Sequence, residues 1–65
     1  MSVGERIGLY LSQNGIKQSF LAEKTGIPDS IISTIVNKGR KIEVMEYYKI
    51  CKALNVEMAT FIDEE

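Results

Sequence analysis

Apolar residues recur at three- and four-residue spacing between turn signals along the chain, and no stretch alternates with the two-residue period of a strand. Val3, Ile7, Tyr10 and Leu11 give a first helix one apolar face, and Asn14-Gly15 predicts its end, where a left-handed residue closes a helix. A short second helix is expected over Gln18–Thr25, carrying Phe20, Leu21 and the stem of Lys24, and closed by Gly26. Ile27 follows as a buried turn residue. A third helix, from residue 28 or 29 to residue 37, turns Ile32, Ile35 and Val36 inward. Pro28 suits its opening, where an N–H is not needed, and Asp29 sets a carboxylate at the positive end of its dipole. Residues 38–41, Lys-Gly-Arg-Lys, read as a loop. Val44, Tyr47, Tyr48, Cys51 and Leu54 predict a fourth helix ended by Asn55, and Met58, Phe61 and Ile62 mark a short last one.

Helices of this length bury their stripes only by packing on one another. The expectation is therefore an all-α chain, a compact five-helix domain spanning residues 1–65.

Composition narrows the chemistry. A lone cysteine, Cys51, closes no internal disulfide, and with no histidine the chain has neither Cys/His metal clusters nor a histidine-based triad. Cys51 is expected to be a packed small hydrophobe, and a reducing, cytoplasmic setting is the natural reading. The longest apolar run is far short of a bilayer span, and no basic-then-apolar leader opens the sequence, so a chain neither secreted nor membrane-spanning is expected, with no membrane partner. No phosphate-cradling glycine loop or activated nucleophile pair points to an enzyme, a cofactor or a small-molecule substrate.

The net charge of −1 is unevenly spread. Lys17, Lys24, Lys38, Arg40 and Lys41 face only Glu23 and Asp29 in the middle of the chain, whereas the rest of the chain sets Arg6, Lys49 and Lys52 against seven carboxylates. A polyanion would be drawn to the middle and repelled by the ends; ordinary surface scatter gives the same distribution equally well.

Residues 18–37, QSFLAEKTGIPDSIISTIVN, carry the more specific signal. Two short helices meet at a turn centred on Gly26, with Ala22 small where they approach, Ile27 plugging the turn, and Ile32 and Ile35 fixing the second helix on the first. This is the helix-turn-helix pattern, whose second helix enters the major groove while the first crosses the phosphate backbone.

At these residues the chain resembles the lambda-repressor-like Xre/Cro group of helix-turn-helix regulators. GIKQSFLAEKTGIPDSIISTI is similar to that family's Gly-Leu-Thr-Gln…Leu-Ala…Gly-Ile-Ser…Ser-Thr-Ile-Ser pattern, and KICKALNVEMATFI to its Lys-Ile-Ala-Lys-Ala-Leu-Gly-Val…Leu tail. The likeness runs without a gap from about residue 6 to residue 62. It implies a five-helix bundle, duplex DNA as ligand, and a homodimer on a palindromic operator. The chain departs from the pattern in three respects. Lys17 stands where a threonine cap is common, exchanging a hydroxyl for a cation. Leu11 and Val36 are apolar where an Arg–Glu pair is frequent, and are expected to touch. Asn37-Lys38-Gly39 replaces the usual Asn-Gly, which alters the loop path.

The resemblance also assigns roles. Gln18 opens the second helix, where its amide and backbone N–H grip a phosphate. Asp29, Ser30 and Thr34 occupy base-reading positions; serine and threonine exchange hydrogen bonds with base edges, whereas Asp29 serves either as a reader of cytosine or as a dipole partner. Ile31, expected to point outward, suits a thymine methyl or is a plain surface isoleucine. Lys17, Ser33, Asn37, Lys38, Arg40 and Lys41 complete the backbone-contacting set, with Arg40 in reach of a minor groove. Tyr47 and Tyr48 are expected in the core rather than stacked on bases. Met45, Ile42 and Ile62 are apolar candidates for the dimer surface.

The leading reading is a bacterial or phage-encoded, nucleoid-associated repressor, with no effector module beyond its DNA-binding domain. A rival reading keeps the fold as a protein-interaction module without DNA binding, supported by the acidic balance, Asp29 and Ile31.

Overall fold

The computed structural model describes residues 1–62; of the domain expected over residues 1–65, the last three lie outside the described residues. It contains four α-helices: α1 (Val3–Gln13), α2 (Gln18–Thr25), α3 (Asp29–Lys38) and α4 (Val44–Leu54), followed by a 3-10 turn at Met58–Phe61. The expected fifth helix is thus a single tight turn. Its bonds run three residues back, from the Thr60 N–H to the Glu57 carbonyl at 3.0 Å and from the Ile62 N–H to the Ala59 carbonyl at 3.3 Å.

Local chemistry sets the helix ends. The Glu5 N–H donates to Ser2 Oγ at 3.1 Å and the Ser2 N–H to Glu5 Oε1 at 2.9 Å, a capping box that opens α1. Gly15, at φ 64°, turns the chain out of α1, and Asn55, at φ 58°, ends α4 in the role glycine often fills. At the start of α2, Lys17 contributes only its carbonyl, accepting from the Phe20 N–H at 3.1 Å and the Leu21 N–H at 3.3 Å; its side chain makes no cap. Lys38 belongs to the last turn of α3 rather than to the following loop. The Gly39 conformation, φ 67°, lets the Arg40 N–H reach back to the Thr34 carbonyl at 3.2 Å, so the extra residue before glycine extends the helix.

α1 packs along α3, α2 packs against α3 and α4, and the 3-10 turn closes on α1 and α4. Ile7, Leu21, Ile32, Ile35 and Ile50 are fully buried, and Leu11 and Val36 lie in the same core cluster. Tyr10 meets Phe61 edge to face, ring centroids 5.5 Å apart, where the 3-10 turn seats on α1. Cys51 is buried, as expected of a small apolar side chain.

The inward face of α4 needs correction. Tyr47, Ile50 and Cys51 are buried, with Leu54 half-buried, whereas Val44 is 76% and Tyr48 44% exposed. Tyr48 sits about 100° around the helix from Tyr47, off the stripe that α2 covers. Val44 is the first residue of α4, about one turn before the first buried residue of that helix, Tyr47. Phe20 is likewise exposed, with the Lys24 ammonium 5.8 Å from its ring centroid.

Candidate nucleic-acid interface

The turn between α2 and α3 is held by a side chain that the sequence did not single out. Thr25 Oγ1 donates to the Leu21 carbonyl at 2.7 Å and accepts from the Ile27 N–H at 3.1 Å, both within the buried interior. The hydroxyl thereby ties the last turn of α2 to the residue that plugs the corner. Gly26 adopts φ 76°, and its N–H bonds the Ala22 carbonyl at 2.9 Å. The Pro28 carbonyl then accepts from the N–H groups of Ile31 and Ile32, both at 3.0 Å, and α3 begins.

One face of α3 is anchored through Ile32, Ile35 and Val36. On the other side Asp29 and Ser30 in the first turn, and Asn37 and Lys38 in the last, are exposed. Ser33 and Thr34 are half-buried between them. Ile31 departs from expectation: it is half-buried against the core, because it lies one helical turn from Ile35 and flanks the anchored stripe. Its availability to a thymine methyl is correspondingly reduced.

The polar side chains of α3 bond partly among themselves. Thr34 Oγ1 donates to the Ile31 carbonyl at 2.8 Å, which leaves the hydroxyl as an acceptor and its methyl as an apolar contact. Asn37 Nδ2 donates to Ser33 Oγ at 3.2 Å, joining two of the residues assigned to phosphates. At the start of α2, Lys17 is exposed and Gln18 half-buried.

Beyond α3, Lys41 is exposed, and Arg40 forms an ion pair with Glu46, Nη1 to Oε1 at 3.1 Å. Glu46 Oε1 also accepts the Glu43 N–H at 3.0 Å, in the first turn of α4. That backbone bond, with Arg40 beside it, holds the Glu46 carboxyl below the usual carboxylate range. Glu46 was not among the sequence candidates. Its spacing three residues after Glu43, at the start of a helix, is the signal that points to a cap. Arg40, Lys41, Ser2 and Gly39 help to line a recess of about 210 Å³ at the start of α1.

Of the apolar residues set aside for a dimer surface, Met45 is 62% and Ile62 49% exposed, whereas Ile42 is half-buried against the core. Among the described residues no helix is long and apolar enough to cross a membrane.

A family model described as helix-turn-helix matches residues 7–61, nearly the whole chain. Among curated proteins and among solved structures, no match to the chain was found.

Proposed function

Because the chain belongs to the Xre/lambda-repressor-like helix-turn-helix family, a family of DNA-binding regulators, we propose that it acts as a repressor by occupying a duplex-DNA operator. In this reading α3 enters the major groove. The observation that carries it is the division of α3 into a face anchored by Ile32 and Ile35, each 0% exposed, and an outward face bearing Asp29, Ser30, Asn37 and Lys38. A rigid helix with a polar outer face is what reading base edges requires.

Ser30 and Thr34 read base edges, and Asp29 either accepts from cytosine or serves the helix dipole. Lys17, Gln18, Ser33, Asn37, Lys38, Arg40 and Lys41 contact the phosphate backbone. Two copies pair through a surface that includes Met45 and Ile62, which sets two recognition helices roughly 34 Å apart on a palindromic site. The chain works in the cytoplasm.

Selection of binding sites from a random-sequence duplex pool, followed by titration at several salt concentrations, tests the reading. The expected result is a recurrent, two-fold-symmetric motif whose affinity falls steeply with salt, each phosphate contact adding about 0.9 to the slope. Replacing Gln18 and Arg40 together by alanine is expected to weaken binding with the fold intact. A chain that retains only the fold, for contacts with another protein, gives no saturable, salt-sensitive binding.

A further inference from the structure

We infer that Glu46 is a positioning residue for Arg40, fixing the guanidinium by one nitrogen beyond the end of α3 and leaving its opposite N–H edge for a single DNA phosphate. The inference rests on the duplex-DNA reading above and adds a residue that never touches the nucleic acid.

Among the described residues, the hydrogen bonds of the Arg40 guanidinium run through Nη1: Glu46 Oε1 at 3.1 Å, Glu46 Oε2 at 3.5 Å and the Lys41 carbonyl at 3.3 Å. An arginine engaged at Nη1 alone keeps Nη2 and Nε, and their parallel N–H groups match two oxygens of a phosphate. The carboxylate that holds it is itself fixed, because Glu46 Oε1 also accepts the Glu43 N–H at 3.0 Å. The arginine backbone is anchored as well, its N–H on the Thr34 carbonyl at 3.2 Å. Within the pair the cation is the more accessible member, with 38% of its side chain exposed against 19% for Glu46.

A free arginine loses much rotamer freedom when a phosphate captures it; one already held loses less, which is worth roughly two- to ten-fold in affinity. Against this, a carboxylate repels phosphates. Arg40 and Lys49 offset part of its charge, and ordering of the guanidinium is expected to outweigh the repulsion that remains.

The test uses the whole chain and a duplex recovered from a random-sequence pool. Wild type, Glu46→Ala, Glu46→Gln, Arg40→Ala and the Arg40→Ala/Glu46→Ala double variant are titrated over a salt series, with thermal melts beside them. Glu46→Ala is expected to weaken binding roughly two- to ten-fold. Glu46→Gln, which keeps an acceptor for the Glu43 N–H, is expected to weaken it less. Glu46→Ala is not expected to matter once Arg40 is gone, where the salt slope has already dropped by about one. Tighter binding by either Glu46 variant overturns the inference, because the carboxylate then competes with DNA for Arg40. An equal loss with and without Arg40 also overturns it, since Glu46 then acts only through α4. If wild type itself shows no saturable, salt-sensitive binding, the duplex reading fails and carries the inference with it, an outcome distinct from the other two.

Discussion

Gly4 of α1 lies so close to Ile35 of α3 that a Cβ added there would overlap the Ile35 carbonyl oxygen and crowd its Cγ2 at 3.0 Å. One turn later, Gly8 stands in a similar relation to Val36, a Cβ there falling 3.0 Å from both the valine Cβ and its carbonyl oxygen. Two glycines four apart thus bring α1 nearly into backbone contact with the helix that carries the candidate DNA-reading residues. Gly4→Ala is expected to cost about 1–3 kcal/mol through overpacking, even though alanine favours a helix by about 1 kcal/mol. Gly8→Ala is expected to cost less, because its neighbours need give by only a few tenths of an ångström. Urea unfolding measures both; an unchanged or raised midpoint for Gly4→Ala would mean that the helices pack differently.

Gly26 is a separate case. Nothing lies within 4 Å of a Cβ added there, so the constraint is its backbone, at φ 76°. Gly26→Ala is expected to lose about 1–2 kcal/mol for placing an alanine in the left-handed region, and Gly26→Asn less. A thermal-melt series that ranks alanine equal to glycine would show that the corner can relax.

Tyr47 is buried and its hydroxyl donates to the Met58 carbonyl, tying α4 to the 3-10 turn. Burial pushes its ionisation up from 10.0 to about 12, with Cys51 beside it acting in the same direction. The folded form therefore keeps its proton after the unfolded chain has begun to lose it. The resulting stability is fully present below pH 10 and is lost as pH rises towards 12. Tyr47→Phe is expected to be less stable at neutral pH by about 1 kcal/mol, the worth of one hydrogen bond, and to lose less stability across that alkaline window. Parallel curves for the two proteins between pH 9 and 12 would contradict this assignment.

Ser30 is exposed in the first turn of α3, whereas the Thr34 hydroxyl is half-buried and donates to its own helix. On the proposed reading the two contribute differently to base recognition. Ser30→Ala is expected to relax discrimination at one base pair by about 1–3 kcal/mol. Thr34→Val, which keeps the branched shape and its methyl, is expected to change specificity much less. Competition between duplexes that differ at single positions reads both effects; a larger loss for Thr34→Val would show that the hydroxyl turns to the DNA on binding.

Much of this protein was legible in one dimension. The spacing of Ile7 and Leu11, of Leu21, and of Ile32, Ile35 and Val36 predicted inward faces that are buried, and Gly15, Gly26 and Asn55 marked helix ends that adopt positive φ. Those features are local: a period of 3.6 residues sets which side chains share a face, and steric freedom at one residue decides where a helix turns off. Tertiary packing decided the rest. Val44 and Tyr48 look as apolar in sequence as Tyr47 and Cys51, yet only the placement of α2 determines which of them is covered. Ile31 is half-buried because it flanks the stripe that packing anchors, and Gly4 and Gly8 take on meaning only where α3 lies across them. The Arg40–Glu46 pair is of the same kind. It joins the second residue beyond one helix to the first turn of the next, and its existence depends on a loop path that side-chain periodicity does not specify.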